Sequence, residues 1–343
     1  MSAAPGPSSD GDDSPILLVP YVWIGDFVRC HSVVKLIRSR TPERAVDVLS
    51  STLCAPLLDY MPGVRKGVVF DIPRRTPALA LNWRLSRMLK AERYGKAIIT
   101  SRKWKAALAP ALAGIPERVG FVGEWRYGLL TDVRYGEKEL PRMIDQCAVL
   151  ALPPSEQRPA DWPLPELVVP EGDIARWRER SALGSEGSAV VALCPGAVGA
   201  GKRWPETGYA ELARRLTNDG VSVWVLGGPG EKEIARVISG AGKFARDLTG
   251  HDLRNAILAL AAADAAVSND SGLLHVAAAI GTPAVGLFGP TSPWHWAPLN
   301  PIAATIEAPW RDGAKDVRLR TTEDIPVDHV LEATRDALAR PKR

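Results

Sequence analysis

Short apolar runs alternate with amphipathic stretches through the amino-terminal half of the chain. The apolar runs predict β-strands at residues 16–21, 45–51, 66–73, 96–100 and 118–122. Helical spacing and composition predict helices at residues 27–40, 77–93 and 103–112. Strands that alternate with helices of this length are typical of parallel βαβ units.

The carboxyl-terminal half repeats this alternation. Apolar runs predict strands at residues 189–193, 221–226, 265–268 and 284–288, and helical patterns occupy residues 205–219, 254–262 and 273–280. Between the halves, residues 151–170 contain six prolines, a composition typical of a linker. We therefore predict two doubly wound α/β domains with a cleft between them, at residues 15–152 and 171–343, joined by a linker at 153–170. A helix at the carboxyl terminus could also pack back on the first domain.

Composition narrows the class of protein. Apolar residues make up 46% and charged residues 24% of the 343 residues, as in ordinary globular proteins. Residues 1–14 are rich in Ser, Pro, Gly and Asp, so we expect a disordered tail without a signal-peptide core. No uninterrupted apolar run reaches the roughly 18 residues that a membrane span requires. The four separated cysteines indicate buried thiols in the reducing cytoplasm.

Positive charge is concentrated in the amino-terminal half. Residues 65–142 contain 17 Lys or Arg and 7 Asp or Glu, which gives this stretch a net charge of +10. Because the whole chain carries +4, the remainder carries −6. Such a basic stretch fits an anionic glycan or lipid partner, or a merely solvated face. No recognised nucleic-acid-binding motif accompanies it, so we expect no nucleic acid partner.

Gly25 and Asp26 follow the first predicted strand where a helix should begin. Ligands of doubly wound folds bind beyond the carboxyl ends of strands, and a carboxylate there can act as a general base. Asp26 could equally cap the helix and complement its dipole. The surrounding sequence lacks GxGxxG, which argues against a bound dinucleotide and an NAD-dependent oxidoreductase.

Two segments of the second half have the properties of anion sites. The loop CPGAVGAGKRWP at residues 194–205 combines glycines with Lys202 between a strand and a helix, although it is not a Walker A loop. The segment SNDSGLLHVAAAIGTP at residues 268–283 leads from a strand into a helix whose first N–H groups are free for a ligand. The candidate residues here are Asp270, Ser271, Gly272, Leu273 and His275. A structural hydrogen bond is the alternative for His275.

A third segment, LGGPGEKE at residues 226–233, places two acids after a Gly-rich turn. An acid in this position can bind the ribose hydroxyls of a nucleotide. Glu231 and Glu233 are the candidates, with solvated acids at a helix start as the alternative. We expect no metal site and no cofactor, because the only DxD-type acids, Asp10, Asp12 and Asp13, lie in the expected tail.

Four pieces in order make the chain similar to glycosyltransferase family 9, the ADP-heptose:lipopolysaccharide heptosyltransferases. They are GEWRYGLLTDVR at residues 123–134, LPRM at 140–143, KRWP at 202–205 and SNDSGLLHVAAAIG at 268–281. The resemblance extends over about residues 16–299. It departs from the family pattern at residues 21–23 and 292–301, which leaves the exact sugar more open than the reaction class.

The resemblance implies a GT-B fold of two Rossmann-like domains, with the acceptor on the amino-terminal side and the donor on the carboxyl-terminal side. It implies inverting transfer of heptose from ADP-heptose to the lipopolysaccharide inner core without a metal. Asp26 matches the family's base and Lys202 the contact to the donor diphosphate. Asp270, Ser271, Gly272, Leu273 and His275 match the nucleotide-binding segment, and Glu231 or Glu233 the ribose contact.

On this interpretation the basic stretch holds the acidic acceptor, with Arg126, Arg134 and Arg142 as candidate ligands. A cytoplasmic enzyme, peripheral on the inner membrane, is expected. Two alternatives remain: a family relative that transfers another activated sugar to a cell-surface glycan, and a non-catalytic nucleotide- or glycan-binding protein on the same fold.

Overall fold

The computed structural model describes residues 13–73, 78–181, 183, 189–311 and 316–342. Over this part of the chain, the strands form two six-stranded parallel sheets with helices on their faces. This architecture confirms the predicted α/β fold. The expected tail at residues 1–14 lies almost entirely outside the described residues.

The amino-terminal sheet has the strand order β3-β2-β1-β4-β5-β6. Its elements along the chain are β1 (Ile16–Val19), α1 (Ile24–Arg29), α2 (His31–Arg40), β2 (Val46–Ser50), α3 (Ala55–Leu58), β3 (Val64–Val69), α4 (Leu79–Ala91), β4 (Lys96–Ile99), α5 (Trp104–Leu112), β5 (Glu117–Phe121), β6 (Asp132–Arg134) and α6 (Met143–Ala148).

The carboxyl-terminal sheet has the order β12-β11-β10-β7-β8-β9, which is the same topology. Its elements are α7 (Glu171–Arg180), β7 (Val190–Cys194), α8 (Glu206–Asn218), β8 (Ser222–Val225), α9 (Lys232–Gly240), β9 (Ala245–Asp247), α10 (Leu253–Ala262), β10 (Ala265–Asn269), α11 (Gly272–Ile280), β11 (Ala284–Phe288), α12 (Pro293–Trp296), β12 (Ala303–Glu307) and α13 (Val327–Leu338). In both sheets the first and fourth strands are neighbours, and the direction of winding reverses between them. Open α/β sheets bind ligands at this switch point.

The central strands are apolar because helices cover both faces of each sheet. Every residue of β1, β10 and β11 is buried. Strands in this environment have continuous apolar runs rather than alternating patterns, which is why the sequence predicted them well. Among the described residues, no helix is both long and apolar enough to cross a bilayer.

The proline-rich segment at residues 153–170 contains no helix or strand and packs between the domains. The Leu167 N–H donates to the Ala279 carbonyl at 2.9 Å, and the Val168 N–H donates to the Tyr60 carbonyl at 2.8 Å. These bonds tie the segment to both halves, so it fixes their relative position more firmly than a free linker would.

Two of the differences from the sequence-based expectation concern helices. The helix predicted at residues 27–40 begins earlier and is divided at Cys30 into α1 and α2. The carboxyl-terminal helix α13, which could also have packed on the amino-terminal domain, has its main contacts with α8 and with β10, β11 and β12 of the second domain. Its apolar face completes a hydrophobic core of the second domain through Val330, Leu331 and Ala337. Burial of these side chains holds α13 on the second domain.

Candidate functional site

Asp26 lies in the first turn of α1, directly beyond the carboxyl end of β1. Its carboxylate accepts a hydrogen bond from Arg29 Nη1 at 2.6 Å, one turn along the helix. Burial raises the pKa of the Asp26 carboxyl above its ordinary value, and the adjacent Arg29 cation opposes that rise without cancelling it. The carboxylate is therefore desolvated, ion-paired and placed at the switch point of the first sheet.

Close packing of α1 against the start of α11 joins the two domains at this point. A Cβ on Gly25 would lie 2.7 Å from His275 Cδ2, and a Cβ on Gly272 would lie 2.7 Å from Ile24 Cβ. Real Cβ atoms do not approach other atoms so closely, so both positions require glycine. The Gly25–Asp26 pair and the SNDSG segment, far apart in sequence, thus form opposite walls of one site.

Arg29 is a site residue that the sequence analysis missed. Its side chain is 3% exposed. Besides Asp26, its Nη2 lies 3.1 Å from His275 Nε2 and donates to the Trp296 carbonyl at 2.7 Å. Because guanidinium only donates, His275 must accept at Nε2 and be neutral. The sequence signal that could have identified Arg29 is a basic residue three positions after Asp26.

The electrostatics of His275 agree with that assignment. Burial, together with the nearby Arg29 and Lys202 cations, holds the pKa of the imidazole well below its ordinary value. The neutral ring therefore acts as a hydrogen-bond acceptor for Arg29 in α1, across the boundary between the domains.

The Lys202 ammonium lies at the switch point of the second sheet, where the loops after β7 and β10 meet. Lys202 Nζ is 2.6 Å from Asp270 Oδ2, which also accepts a hydrogen bond from Thr291 Oγ1 at 2.8 Å. Asn269 binds the same loop, because its Oδ1 accepts from the Trp204 N–H at 3.1 Å. These bonds fix the ammonium beside the start of α11.

The start of α11 has the features of an anion site. Ser271 occupies the N-cap position but makes no side-chain capping bond, and its hydroxyl lies 3.1 Å from the Ser268 hydroxyl. The first N–H groups of a helix carry partial positive charge and attract anions. Gly272 and Leu273 provide two of these groups beside the Lys202 cation.

The two candidate acids after β8 have different positions. Glu231 Oε2 accepts from the Gly228 N–H at 2.9 Å, and a Cβ on Gly196 would lie 3.1 Å from Glu231 Cδ. Glu231 thus lies between the loops that follow β7 and β8. Glu233 points outward on α9, where its side chain is 83% exposed and pairs with Arg236 at 2.8 Å.

A cavity of about 870 Å³ opens between the domains next to these loops. Its walls combine Gly227 and Gly228 of the second domain with Ile24 of the first, and Leu273 at the start of α11. A volume in this range accommodates a medium-sized ligand such as a nucleotide. Neither Asp26 nor Lys202 is among the residues that line this cavity.

The three candidate acceptor arginines are all held by protein contacts. Arg134 donates to both oxygens of Asp132 at 2.7 and 2.8 Å, and Arg142 pairs with Asp145 at 3.1 Å. Arg126 is 2% exposed and donates through Nη1 to the Ser101 carbonyl. Its Nε and Nη2 have no hydrogen-bond partner among the described residues. Burial lowers the pKa of the Arg126 guanidinium to about 10.

The Trp-rich segment after β11 forms a second bridge between the domains. The Arg142 guanidinium lies 5.7 Å from the ring centroid of Trp294, and His295 Nδ1 lies 2.7 Å from the Pro141 carbonyl oxygen. With the Arg29 bond to Trp296, every residue from 294 to 296 contacts the amino-terminal domain. No pattern in the sequence indicated this arrangement.

Several cations of the basic stretch form ion pairs within the fold. Its paired cations include Arg65 with Asp47, Lys66 with Glu92, Lys96 with Glu117, Arg102 with Glu137 and Lys103 with Glu124. Because all of these acids except Asp47 belong to residues 65–142, the net charge of +10 for this stretch already takes them into account. Within the part of the chain that the structure describes, no group of three or more His, Cys, Asp or Glu side chains is arranged to hold a metal ion.

Known proteins resemble this chain in sequence and in fold. The sequence profile of glycosyltransferase family 9 (heptosyltransferase) matches residues 82–324. Lipopolysaccharide heptosyltransferase 2 of Escherichia coli strain K12 is 36% identical over 304 residues, covering 85% of this chain and 87% of that protein. Lipooligosaccharide heptosyltransferase 2 of Haemophilus influenzae is 33% identical over 305 residues, covering 85% and 88%.

Solved structures extend the likeness to the whole fold. The structure of E. coli ADP-heptose lps heptosyltransferase II matches with a TM-score of 0.84 and 34% identity, covering 95% of this chain and 98% of that one. The profile match and these relatives each span more than two thirds of the chain. The chain therefore belongs to glycosyltransferase family 9, the heptosyltransferase family, and is a glycosyltransferase with the two-domain fold of that family.

Proposed function

We propose that this enzyme transfers heptose from ADP-heptose to a hydroxyl of the lipopolysaccharide inner core, with inversion and without a metal ion. The observation that carries the proposal is the proximity of two groups from different domains. Asp26 in α1 lies next to the start of α11, where His275 and Lys202 are located. A base on one domain and an anion site on the other are what a single-displacement transfer between two bound substrates requires. The E. coli and H. influenzae relatives named above support the choice of substrates.

In the proposed reaction, Asp26 accepts the proton of the acceptor hydroxyl as its oxygen attacks the anomeric carbon. The new C–O bond forms on the face opposite the bond to the β-phosphate oxygen, and that bond breaks with its electron pair leaving on ADP. The configuration at the anomeric carbon is therefore inverted. The raised pKa of the Asp26 carboxyl suits this role, because a base is more effective when its pKa approaches the working pH.

Negative charge grows on the diphosphate as it leaves. Lys202 and the first N–H groups of α11, at Gly272 and Leu273, are fixed before the reaction and offer positive charge there. We assign the ribose contact to Glu231 rather than Glu233, because Glu231 lies between the loops at the cavity and Glu233 points outward. Asp270 orients Lys202 through their 2.6 Å ion pair.

Arg29 should set the pH at which Asp26 becomes active. Asp26 must be ionised to accept a proton, so kcat/KM should rise with pH through its pKa, above the ordinary aspartate value of 3.8. Arg29→Met removes the cation that favours the ionised form, so we expect the acid limb to move to higher pH. Arg29→Lys keeps the charge and should leave the limb near its wild-type position. Coincident acid limbs in all three proteins would argue against this coupling.

Transfer should proceed without divalent metal, because Lys202 and the start of α11 supply positive charge at the diphosphate. We expect the initial rate in excess EDTA to equal the rate with added Mg²⁺. Loss of transfer in EDTA that Mg²⁺ or Mn²⁺ restores would contradict this prediction.

The acceptor belongs on the amino-terminal side of the cleft, where we retain Arg126, Arg134 and Arg142 as candidate contacts. Arg142 and Arg134 are the more accessible of the three, with side chains 20% and 13% exposed, whereas Arg126 is buried. Because the acceptor is a lipid of the inner membrane, we also propose that the enzyme works in the cytoplasm as a peripheral protein on that membrane.

The proposed function is tested by incubating the purified enzyme with several nucleotide sugars and deacylated inner-core acceptors. We expect ADP-heptose to be the productive donor and the product linkage to have inverted configuration. Faster transfer from a different nucleotide sugar would favour another family activity. Binding of ADP without transfer to any acceptor would favour a non-catalytic role.

A further inference from the structure

The outward half of α4 presents apolar and basic side chains together. Leu79 is 62% exposed, Trp83 59% and Met88 44%. The helix also has three exposed cations: Arg84, Arg87 and Lys90. Its sequence, LALNWRLSRMLKA, contains no acidic residue.

The opposite half of α4 is anchored in the domain. Asn82, Leu85, Ser86 and Leu89 are buried there, and α4 packs against α5. At about 100° per residue, the exposed apolar residues and the cations all project from the remaining half of the helix. That half has the composition of a helix that lies in the interface of a bilayer, with Arg and Lys around Trp and Leu.

The α4 cations differ from most of the basic stretch. Arg84, Arg87 and Lys90 have no side-chain hydrogen bond or ion pair with any residue that the structure describes, whereas Lys66, Lys96 and many others are paired. Unpaired and solvated cations keep their full attraction for an anionic surface. The three α4 cations therefore account for part of the net positive charge of residues 65–142.

The position of α4 relates this face to the cleft. Leu79 begins the helix that comes next along the chain after β3, and Asp26 follows the carboxyl end of β1 in the same parallel sheet. Both therefore lie toward the same edge of the amino-terminal domain. A bilayer in contact with Leu79 and Trp83 would lie beside the acceptor half of the cleft.

We propose that the outward half of α4 docks the enzyme on an anionic lipid bilayer, with Trp83 and Leu79 in the headgroup region and the three cations on the headgroups. The inference rests on the proposed function, since a lipid-linked acceptor gives the enzyme a reason to bind a membrane. It adds the surface responsible and the lipid charge required.

The test measures flotation of the purified full chain with phosphatidylglycerol–phosphatidylcholine vesicles and with phosphatidylcholine vesicles alone. Removing three surface cations should weaken binding to the anionic vesicles on the order of 100-fold, at about fivefold each. The variant is Arg84→Gln, Arg87→Gln, Lys90→Gln. The matched control, Arg214→Gln, Arg236→Gln, Arg318→Gln, changes the net charge equally at exposed sites on the second domain and should bind like wild type. Trp83→Ser should weaken binding roughly tenfold.

Transfer to a water-soluble deacylated acceptor separates this inference from the proposed function. The α4 variants should keep wild-type rates with that acceptor and lose rate only with the lipid acceptor in vesicles. Equal vesicle binding by wild type, the α4 variant and the control would overturn the docking surface even if transfer is normal. Absence of transfer to the soluble acceptor by wild type would instead overturn the proposed function.

Discussion

Asp26→Asn is expected to reduce transfer by about 10² to 10⁴-fold while leaving ADP affinity close to wild type. The amide keeps an oxygen that can accept the 2.6 Å hydrogen bond from Arg29 Nη1, so the ion pair is lost but its geometry is kept. What disappears is the ability to accept a proton from the acceptor hydroxyl. Initial rates with saturating ADP-heptose, together with calorimetry of ADP binding, measure the two effects separately.

The control for this variant is Asp328→Asn, the same isosteric change at an 80%-exposed carboxylate that pairs with Arg215 on the far side of the second domain. It should leave both rate and affinity unchanged. A near-normal rate in Asp26→Asn would reject Asp26 as the base and leave it as the ion-pair partner of Arg29 in the first turn of α1. A collapse of ADP binding or of thermal stability would show that the Arg29 pair is primarily structural.

Lys202→Ala should impair both binding and departure of the diphosphate. Loss of one charged hydrogen bond to a phosphate corresponds to about 2 kcal/mol, or roughly 30-fold in ADP affinity. The maximal rate should also fall by about 10² to 10³-fold, as when a fixed donor to a developing anion is removed. Asp270 adds to the effect, because without the 2.6 Å ion pair its carboxylate faces the diphosphate uncompensated.

Lys243→Ala is the matched control, because it removes one exposed lysine of the same domain, over the Phe244 ring and away from α11. We expect it to bind ADP like wild type. Calorimetry of ADP binding and initial rates of transfer, measured on the two variants, test whether Lys202 belongs to the donor site. Unchanged affinity and rate in Lys202→Ala would exclude Lys202 from the donor site and leave the helix start as its only anion-binding element.

The sequence predicted the sheets more completely than it predicted the site. The buried strands were predictable because helices cover both sheet faces, which makes each strand a continuous apolar run. The break at Cys30 was not predictable, because it does not interrupt the helical pattern of the sequence. The short edge strand β6 was not predictable either, because three residues do not produce a clear periodic pattern. The Gly-rich loops were found because glycine and lysine between a strand and a helix have few other uses.

By itself, then, the sequence determined two doubly wound domains, the family, and a short set of candidate residues that includes Asp26, Lys202 and the SNDSG segment. Only the tertiary structure decided which of them meet. Arg29 became a site residue because packing of Gly25 against His275 brings α1 within hydrogen-bonding distance of the second domain. Glu231 and Glu233, two positions apart and alike in sequence, point in different directions because a helix turns by about 100° per residue. Pairings of this kind depend on contacts between residues distant along the chain, and no local pattern records them.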